Sequence, residues 1–201
     1  MLFFNLYCTK KCIFVRKKAV KNNQKICHMF ISDGKISLRI AEPEDARQIY
    51  DWENDRSVWR VSETSNPTSL FQVEQFLLGN SDLWANRQLR LMVCCEGVER
   101  PVGSIDLFDF DPVNSRIGIG ILIEEASRGQ GMATQALSLC LKYLFHDVMV
   151  HQVHCLIDVT NAESQHVFKG LGFSECGRRR DWIKTPEGYL DAVFYQKIIQ
   201  P

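Results

Sequence analysis

The stretch from Arg116 to Thr134 reads RIGIGILIEEASRGQGMAT and combines three patterns. Its first part, Arg116 to Ile123, is a β-branched run typical of a buried strand, and its two glycines indicate a bulge or the close approach of another backbone. Beyond the turn, apolar residues recur at helical spacing and define one helix face: Ala133, Leu137, Cys140, Leu141, Leu144 and Val148. The sequence therefore predicts a strand, a glycine turn and a helix in direct succession.

The glycine turn, RGQGMAT at 128–134, has the features of an anion-binding site. Backbone N–H groups in the first turn of a helix lack intrahelical partners, and glycine lets the backbone approach a ligand closely. The turn is not a Walker loop, because the phosphate-binding lysine and the Ser/Thr after it are missing, and no G-x-G-x-x-G motif is present. Such a turn suits a diphosphate, although tight packing alone also produces Gly-x-Gly turns.

A second strand and helix follow the first pair. Gln152 to Val159 predicts a strand whose side chains alternate between two faces, with His154 and Asp158 on the same face. Thr160 or Asn161 then has the chemistry of a helix cap. This succession of strands and helices favours the α/β or α+β class.

These motifs resemble the GNAT superfamily of acyl-CoA-dependent N-acetyltransferases. The resemblance rests on Arg-x-x-Gly-x-Ala at 128–133, on Asn161 after the next strand, and on FKGLGF at 168–173. The stretch ISLRIAEPEDA at 36–46 resembles the first strand and the start of the first helix of that fold. EGYLD at 187–191 resembles the last hairpin of its ribosomal-protein and diamine acetyltransferase branches.

The resemblance covers about residues 35 to 198 and implies an α/β (α+β) fold: a mixed, mostly antiparallel central sheet flanked by helices, with splayed central strands that hold the cofactor. It also implies acetyl-CoA as cosubstrate and a homodimer as a common assembly. In that family a central strand pairs with the pantetheine arm and the glycine turn holds the pyrophosphate. Carried over to this chain, the cofactor contacts fall on Ile121, Leu122, Ile123, Arg128, Gly129, Gln130, Gly131, Met132, Ala133, Thr134, Asn161 and Ser164. As alternatives to these cofactor contacts, Asn161 could act only as a helix cap, and Arg128 could be a solvated side chain.

The usual proton donor of the family is absent. Many relatives have a tyrosine seven residues after the asparagine, where its hydroxyl protonates the departing CoA thiolate, but this chain has Phe168, whose ring has no proton to donate. Phe168 is then a core residue beside the cofactor, and the thiolate leaves without a dedicated acid, since the pKa of a thiol is only ~8.5. Tyr195, Tyr189 or a bound water are the alternative donors, and the sequence does not choose.

The reaction implied by the resemblance is attack of a neutral amine on the thioester. A strand N–H near residues 121–123 would stabilise the oxyanion, and a carboxylate or a water chain must take the proton of the amine. Four acids are candidates for this base: Glu124 and Glu125 just beyond the pantetheine segment, Asp106 after a short strand, and Asp158 on the next strand. Glu124 ranks above Asp106, and each has the alternative of being a solvated or ion-paired surface group.

The acceptor pocket is expected between a helix pair and a hairpin. Helices are predicted from Pro43 to Glu53 and from Ser69 to Leu78, and Pro186 and Gly188 give the stretch from Trp182 to Tyr189 clear turn chemistry. In the resembling family the helix pair and its loop close over the acceptor amine. The hairpin would form the opposite wall.

Polar and aromatic residues between and beside these elements are the candidate acceptor contacts. A second ammonium of a diamine could be held by Glu53, Asp55 and Glu63, while Trp59 stacks on it. Tyr189 would contribute from the hairpin. A solvated loop with one core tryptophan is the alternative for this stretch.

Charge is distributed unevenly along a chain whose formal net charge is zero. Residues 1–28 hold seven basic residues and no acid, which leaves residues 29–201 with 17 basic and 24 acidic residues and a net charge of −7. An acidic domain repels nucleic acid and favours a cationic substrate, such as a polyamine or a basic protein N-terminus. The 1–28 leader lacks the layout of a secretory signal and is expected to be disordered or to follow from an early start codon, with an arm for an acidic partner as the alternative.

Length and composition set further limits. The chain of 201 residues fits one domain, placed at 29–201, with a sizeable core. No apolar run reaches about 18 residues, so no membrane span is expected. The eight cysteines show no C-x-x-C pair and no ligand spacing with histidine, which favours buried thiols in a reducing cytoplasm over a metal site. A non-catalytic module that binds acyl-CoA or an amine is the competing function.

Overall fold

In a computed structural model, residues 31–55, 66–79 and 82–199 are described. Within them eight strands form one sheet: β1 Ile31–Ser32, β2 Ile36–Ile40, β3 Leu89–Cys95, β4 Gly103–Asp111, β5 Arg116–Ile123, β6 Gln152–Asp158, β7 Ser174–Thr185 and β8 Gly188–Ile198. Their order across the sheet is β1-β2-β3-β4-β5-β6-β8-β7. Every neighbouring pair is antiparallel except β5 and β6, so the sheet is mixed and mostly antiparallel, as the sequence predicts.

Helices cover both faces of this sheet: α1 Ala46–Glu53, α2 Leu70–Gly79, α3 Leu83–Asn86, α4 Met132–His146 and α5 Ala162–Gly170. On one face, here called the α4/α5 face, Leu137 and Phe168 belong to the main hydrophobic core. On the other, the α1/α2 face, Ile49 packs in a second cluster with Met92 of β3. Among the helices described, none combines the length and the apolar composition that a membrane span needs.

The predicted elements are present, with small differences at their ends. The first predicted helix begins as a 3-10 turn at Pro43–Asp45 and continues as α1, and the second begins at Leu70 rather than Ser69. The predicted hairpin is formed by β7 and β8, which are longer than the turn chemistry alone indicated. The 1–28 leader, Trp59 and Glu63 lie outside the described residues.

The strands β5 and β6 separate after a short ladder. Their parallel pairing joins Arg116–Gly118 to Gln152–His154. Beyond it, β5 continues to Ile123 against β4, and β6 continues to Asp158 against β8. The two strands therefore diverge, and their facing backbone groups have no strand partner in the described part of the chain. This divergence opens a V-shaped cleft, whose apex is the end of the short ladder.

Aromatic rings cover the apex on the α1/α2 face. A Cβ on Gly118 would lie 2.3 Å from a ring carbon of Phe108, so the phenyl ring occupies the space above this glycine. Phe108 meets the ring of His154 edge-on with centroids 6.3 Å apart, and His154 stacks on Phe194 at 5.3 Å. The glycine pattern of β5 thus marks a close approach, while the register shift lies on the facing strand between Phe108 and Asp111.

The imidazole of His154 is placed where protonation is disfavoured. Burial lowers its pKa below the ordinary value of 6.5, Asp109 works in the opposite direction, and Arg116 and Arg179 lower the pKa further. At pH values between this lowered pKa and 6.5, His154 therefore binds a proton more readily in the unfolded chain than in the folded protein. The contribution of neutral His154 to stability is complete above pH 6.5 and is lost as the pH falls towards the folded pKa.

We predict that Gly103→Ala destabilises the fold, whereas Gly120→Ala does not. A Cβ at Gly103 would lie 2.2 Å from the backbone oxygen of Leu122, but at Gly120 its nearest neighbour is a Phe108 ring carbon at 3.9 Å. We expect Gly103→Ala to lower the free energy of unfolding by ~1–3 kcal/mol through overpacking and Gly120→Ala to stay within about 0.5 kcal/mol. Urea denaturation of both variants measures this, and equal midpoints would contradict the strand geometry.

We also predict a pH-dependent stability difference between the wild type and His154→Phe. The phenyl ring preserves the stack on Phe194 but does not titrate. As the pH is lowered from about 8 to 5, the melting temperature of the wild type should fall more steeply below pH 6.5 than that of the variant. If the melting temperatures of the two proteins change in parallel with pH, the pKa of His154 is the same in the folded and the unfolded state.

Candidate active site

The cleft between β5 and β6 is lined by both strands and by α5. Ile119 and Ile121 line it from β5 and Leu156 from β6, while Ser164 and Phe168 line it from α5. Because α4 and α5 cover one face of the sheet at this point, the described residues leave the cleft accessible from the α1/α2 face.

Gly120 leaves an open position on the α1/α2 face of the cleft. Among the atoms of the described residues, a Cβ built there would meet one within 4 Å, on the Phe108 ring. The cross-strand partner of Gly120 is Asp106, whose side chain points to the same face. A group held in the cleft near Gly120 is thus accessible from above, beside a carboxylate.

The glycine turn lies at the wide end of the cleft, where β5 leads into α4. Gly129 and Gly131 have φ angles of +73° and +75°, which glycine adopts without Cβ strain, and Gly131 caps α4 without a side chain. The N–H of Gln135 bonds to the Gly131 carbonyl at 3.1 Å, so the N–H groups of residues 132–134 precede the first bond of the helix. These amides and the positive end of the helix dipole are the features from which the sequence predicts an anion site, and that site stays a prediction.

Side chains hold this turn against the end of β5. The Nε of Arg128 donates to the carbonyl oxygen of Ile123 at 2.9 Å. The carboxylate of Glu124 lies 3.2 Å from Arg100 and accepts a hydrogen bond from the Ser127 hydroxyl at 3.3 Å. Glu124, the first-ranked acid of the sequence, therefore lies at the turn with its carboxylate engaged by Arg100.

Asn161 begins α5 at the edge of the cleft. Its side-chain oxygen accepts the N–H of Ser164 at 3.0 Å, which makes it the N-cap, and both residues line the cleft. With the oxygen committed to the cap, the amide nitrogen is the side-chain group with donors to offer. Asn161 thus has a structural role that does not prevent a contact with a ligand in the cleft.

The side chains of Phe168 on α5 and Tyr195 on β8 are both buried on the α4/α5 face. Phe168 is 3% exposed and packs edge-on against Phe173 with centroids 5.0 Å apart. The hydroxyl of Tyr195 donates to Gln165 at 3.2 Å, and the Tyr195 side chain is on the α4/α5 face. Gln165 in turn bonds the carbonyl oxygens of residues 158 and 159 at 3.2 Å. The tyrosine therefore helps to fix α5 to the end of β6.

An arginine that the motifs did not identify, Arg90, joins two of the predicted site residues on the α1/α2 face. The Nε and Nη2 atoms of Arg90 bond the two carboxylate oxygens of Asp106 at 2.5 and 3.1 Å, and its Nη1 lies 2.7 Å from Glu53. Burial alone would lower the pKa of Arg90, but the two carboxylates raise it overall. Glu53 and Asp106, predicted for separate roles, thus share one guanidinium. The signal in the sequence was a lone arginine within the apolar strand LRLMVCC, because a buried charge requires a partner.

Of the other predicted acceptor and base residues, Asp158 lines the cleft, whereas Asp55 and Tyr189 are not among its lining residues. The Oδ1 atom of Asp158 accepts the Thr160 N–H at 2.6 Å. The N–H of exposed Asp55 bonds to the Trp52 carbonyl at 3.1 Å, after the end of α1. Tyr189 is 60% exposed near the hairpin turn. In the described ranges, no three His, Cys, Asp or Glu side chains are grouped to hold a metal ion.

Comparison with known proteins agrees with this geometry. The acetyltransferase (GNAT) domain family matches residues 35–174. Spermidine N(1)-acetyltransferase from Escherichia coli strain K12 is 29% identical over 139 residues, which is 69% of this chain and 73% of that protein. The family match spans most of the chain and includes the strands of the cleft and the glycine turn.

Two solved structures share the fold. Spermidine N-acetyltransferase from Vibrio cholerae, in complex with CoA and spermine, has a TM-score of 0.74 at 22% identity and covers 82% of this chain and 95% of its own. A ribosomal L7/L12 alpha-N-protein acetyltransferase in complex with coenzyme A has a TM-score of 0.74 at 19% identity, with 84% and 96% covered. The fold and the family expected from the sequence are confirmed, and the chain belongs to the acetyltransferase (GNAT) family.

Proposed function

We propose that this N-acetyltransferase binds acetyl-CoA in the cleft between β5 and β6 and transfers the acetyl group to a primary amine that arrives from the α1/α2 face. The supporting observation is the divergence of the two strands beside Gly120, which leaves the cleft open on one face and closed by α4 and α5 on the other. A thioester lying there would be exposed to an amine at a single position. This geometry favours direct transfer between two bound substrates.

The glycine turn and the free edge of β5 would hold acetyl-CoA. The N–H groups of Gly129 to Thr134 suit the diphosphate, and backbone groups of Ile121 to Ile123 suit the amide-bearing pantetheine arm. Met132 and Ala133 are partly buried at the start of α4 and would contribute contact area. From α5, Asn161 would add hydrogen bonds through its amide nitrogen.

The chemical step needs an oxyanion donor and a proton acceptor. As the amine nitrogen bonds to the acetyl carbon and the C–S bond breaks, a β5 N–H would stabilise the negative charge on the carbonyl oxygen. The proton leaves the amine, and the sulfur departs as a thiolate, which has a pKa of ~8.5 in a free thiol. Phe168 supplies no proton, and the Tyr195 hydroxyl on the α4/α5 face already donates its proton to Gln165 at 3.2 Å.

Asp106 is our first choice for the group that receives the proton, directly or through a water. It neighbours the open position at Gly120, and its side chain is 37% exposed despite the two bonds to Arg90. Glu124 is our second choice, because its carboxylate is held at the glycine turn by Arg100. A water chain that ends on Asp106 would serve equally well.

Two classes of acceptor amine follow from the chain and its relatives. The net charge of −7 over residues 29–201 and the spermidine acetyltransferase named among the relatives favour a polyamine. The ribosomal L7/L12 alpha-N-protein acetyltransferase among the structural neighbours, which has the same fold, supports the second class, a protein N-terminus.

Turnover with a panel of amines tests the proposal. We expect acetyl-CoA-dependent release of free thiol with at least one member of a panel of spermidine, spermine, diamines, aminoglycosides and short peptides with free N-termini. A thiol reagent follows the release, and a reaction without acceptor corrects for the eight cysteines of the protein. Tight binding of acetyl-CoA without turnover of any acceptor would instead support the non-catalytic module.

We predict that Gly131→Glu weakens the binding of acetyl-CoA by at least about tenfold, because its carboxylate would face the diphosphate. Gly131→Ala is the matched control: both variants place a side chain at φ +75°, where the nearest atom to a Cβ is 3.8 Å away, but only one adds a charge. Calorimetric titration with acetyl-CoA compares the two. Equal affinities of the two variants would show that the diphosphate does not bind at the glycine turn.

A further inference from the structure

Glu53 and Asp106 form an acidic wall on the α1/α2 face beside Gly120, and Arg90 lies between their carboxylates. Its guanidinium bonds both carboxylate oxygens of Asp106 and lies 2.7 Å from Glu53. It also lies over the ring of Phe76, 5.4 Å from the centroid. The contacts come from α1, α2 and β4, and they fix the cation in place because a hydrogen-bonded fork and an aromatic face restrain it together.

This arrangement changes the charge that an acceptor meets. Glu53 and Asp106 alone would present two negative charges, but the ion pairs with Arg90 leave a formal total of −1. A second ammonium of a bound diamine would meet oxygens already used in hydrogen bonds and would lie near a cation of the same sign. Displacing Arg90, whose side chain is 16% exposed, would leave a buried charge without partners.

We propose that Arg90 determines acceptor specificity: as a built-in cation on the acidic wall, it selects amines that carry one positive charge and disfavours amines that carry several. The inference rests on the proposed function, since it concerns the α1/α2 face of the same cleft. It extends that function, because it chooses between acceptors by their charge.

A purely structural role for Arg90 is the competing explanation, since the residue ties α1 and α2 to the sheet. Two observations connect it to the acceptor instead. Asp106, which Arg90 holds on both oxygens, is the cross-strand partner of Gly120, above which the described residues leave the space open. The Asp106 side chain is also more exposed than that of Arg90, so an acceptor contacts the carboxylate that the arginine has partly neutralised.

Two pairs of acceptors that differ by added positive charge test the proposal. The first pair is n-butylamine and putrescine, and the second is the tripeptide Ser-Ala-Ala with its analogue Ser-Lys-Lys. With saturating acetyl-CoA, we expect the full-length wild type to show a kcat/KM at least about tenfold higher for the member with the single charge. The ratio of the two kcat/KM values is the readout, because a loss of folded enzyme lowers both values equally.

Three variants of Arg90 separate charge from packing. Arg90→Met and Arg90→Gln remove the cation with similar volume, and we expect the ratio to shift by at least about tenfold towards the acceptor with more charge. Arg90→Lys keeps the cation and should retain the preference of the wild type. Melting temperatures report whether each variant is folded.

The outcomes distinguish this inference from the proposed function. An unchanged ratio in a folded Arg90→Met or Arg90→Gln overturns the specificity role, as does a wild type that prefers the more highly charged member of both pairs. If neither neutral variant folds, the wild-type ratio alone decides, and a single-charge preference supports the role. If the wild type acetylates other amines but no member of either pair, only the specificity role of Arg90 is overturned. If no amine leads to thiol release, both the specificity role and the proposed function are overturned.

Discussion

The separation of β5 from β6 is the constraint on which the rest of the site depends. Parallel pairing stops after Gly118 and His154, while each strand remains fully paired on its other side with β4 or β8. Since a sheet normally satisfies its backbone groups between strands, an interior gap leaves polar groups that require another partner. In the proposed complex, the amide groups of the pantetheine arm would meet that requirement along the free edge of β5.

The gap also determines where the helices begin. β5 ends at the wide end of the cleft, so the turn that follows it brings the N-terminus of α4 to the same place, and β6 brings the N-terminus of α5 to the opposite side. Both helices then pack on one face through residues such as Leu137 and Phe168. The other face keeps a glycine at position 120, and this asymmetry gives the cleft one closed and one open side.

Local patterns in the sequence predicted the strand, the glycine turn and the helices around the cleft, but not the ion pairs on the α1/α2 face. The strand, the glycine turn and the cap at Asn161 depend on neighbouring residues, so periodicity and capping chemistry identify them. The pairing of Arg90 with Asp106 depends on the register of β3 against β4, and its pairing with Glu53 depends on how α1 lies over the sheet. Neither follows from spacing along the chain. The stacking of His154 on Phe194 is likewise a product of strand order.

The same difference applies to charge. A total of −7 over residues 29–201 describes the long-range field, which raises the rate at which any cation arrives. It does not describe the wall that the cation finally contacts, because Arg90 is bonded there to two of the acids counted in that total. Long-range attraction is screened over about 8–10 Å in physiological salt, whereas contacts with Asp106 act within hydrogen-bond distance. On the specificity proposed for Arg90, net charge governs encounter, and the selection of an acceptor depends on which carboxylates are already paired.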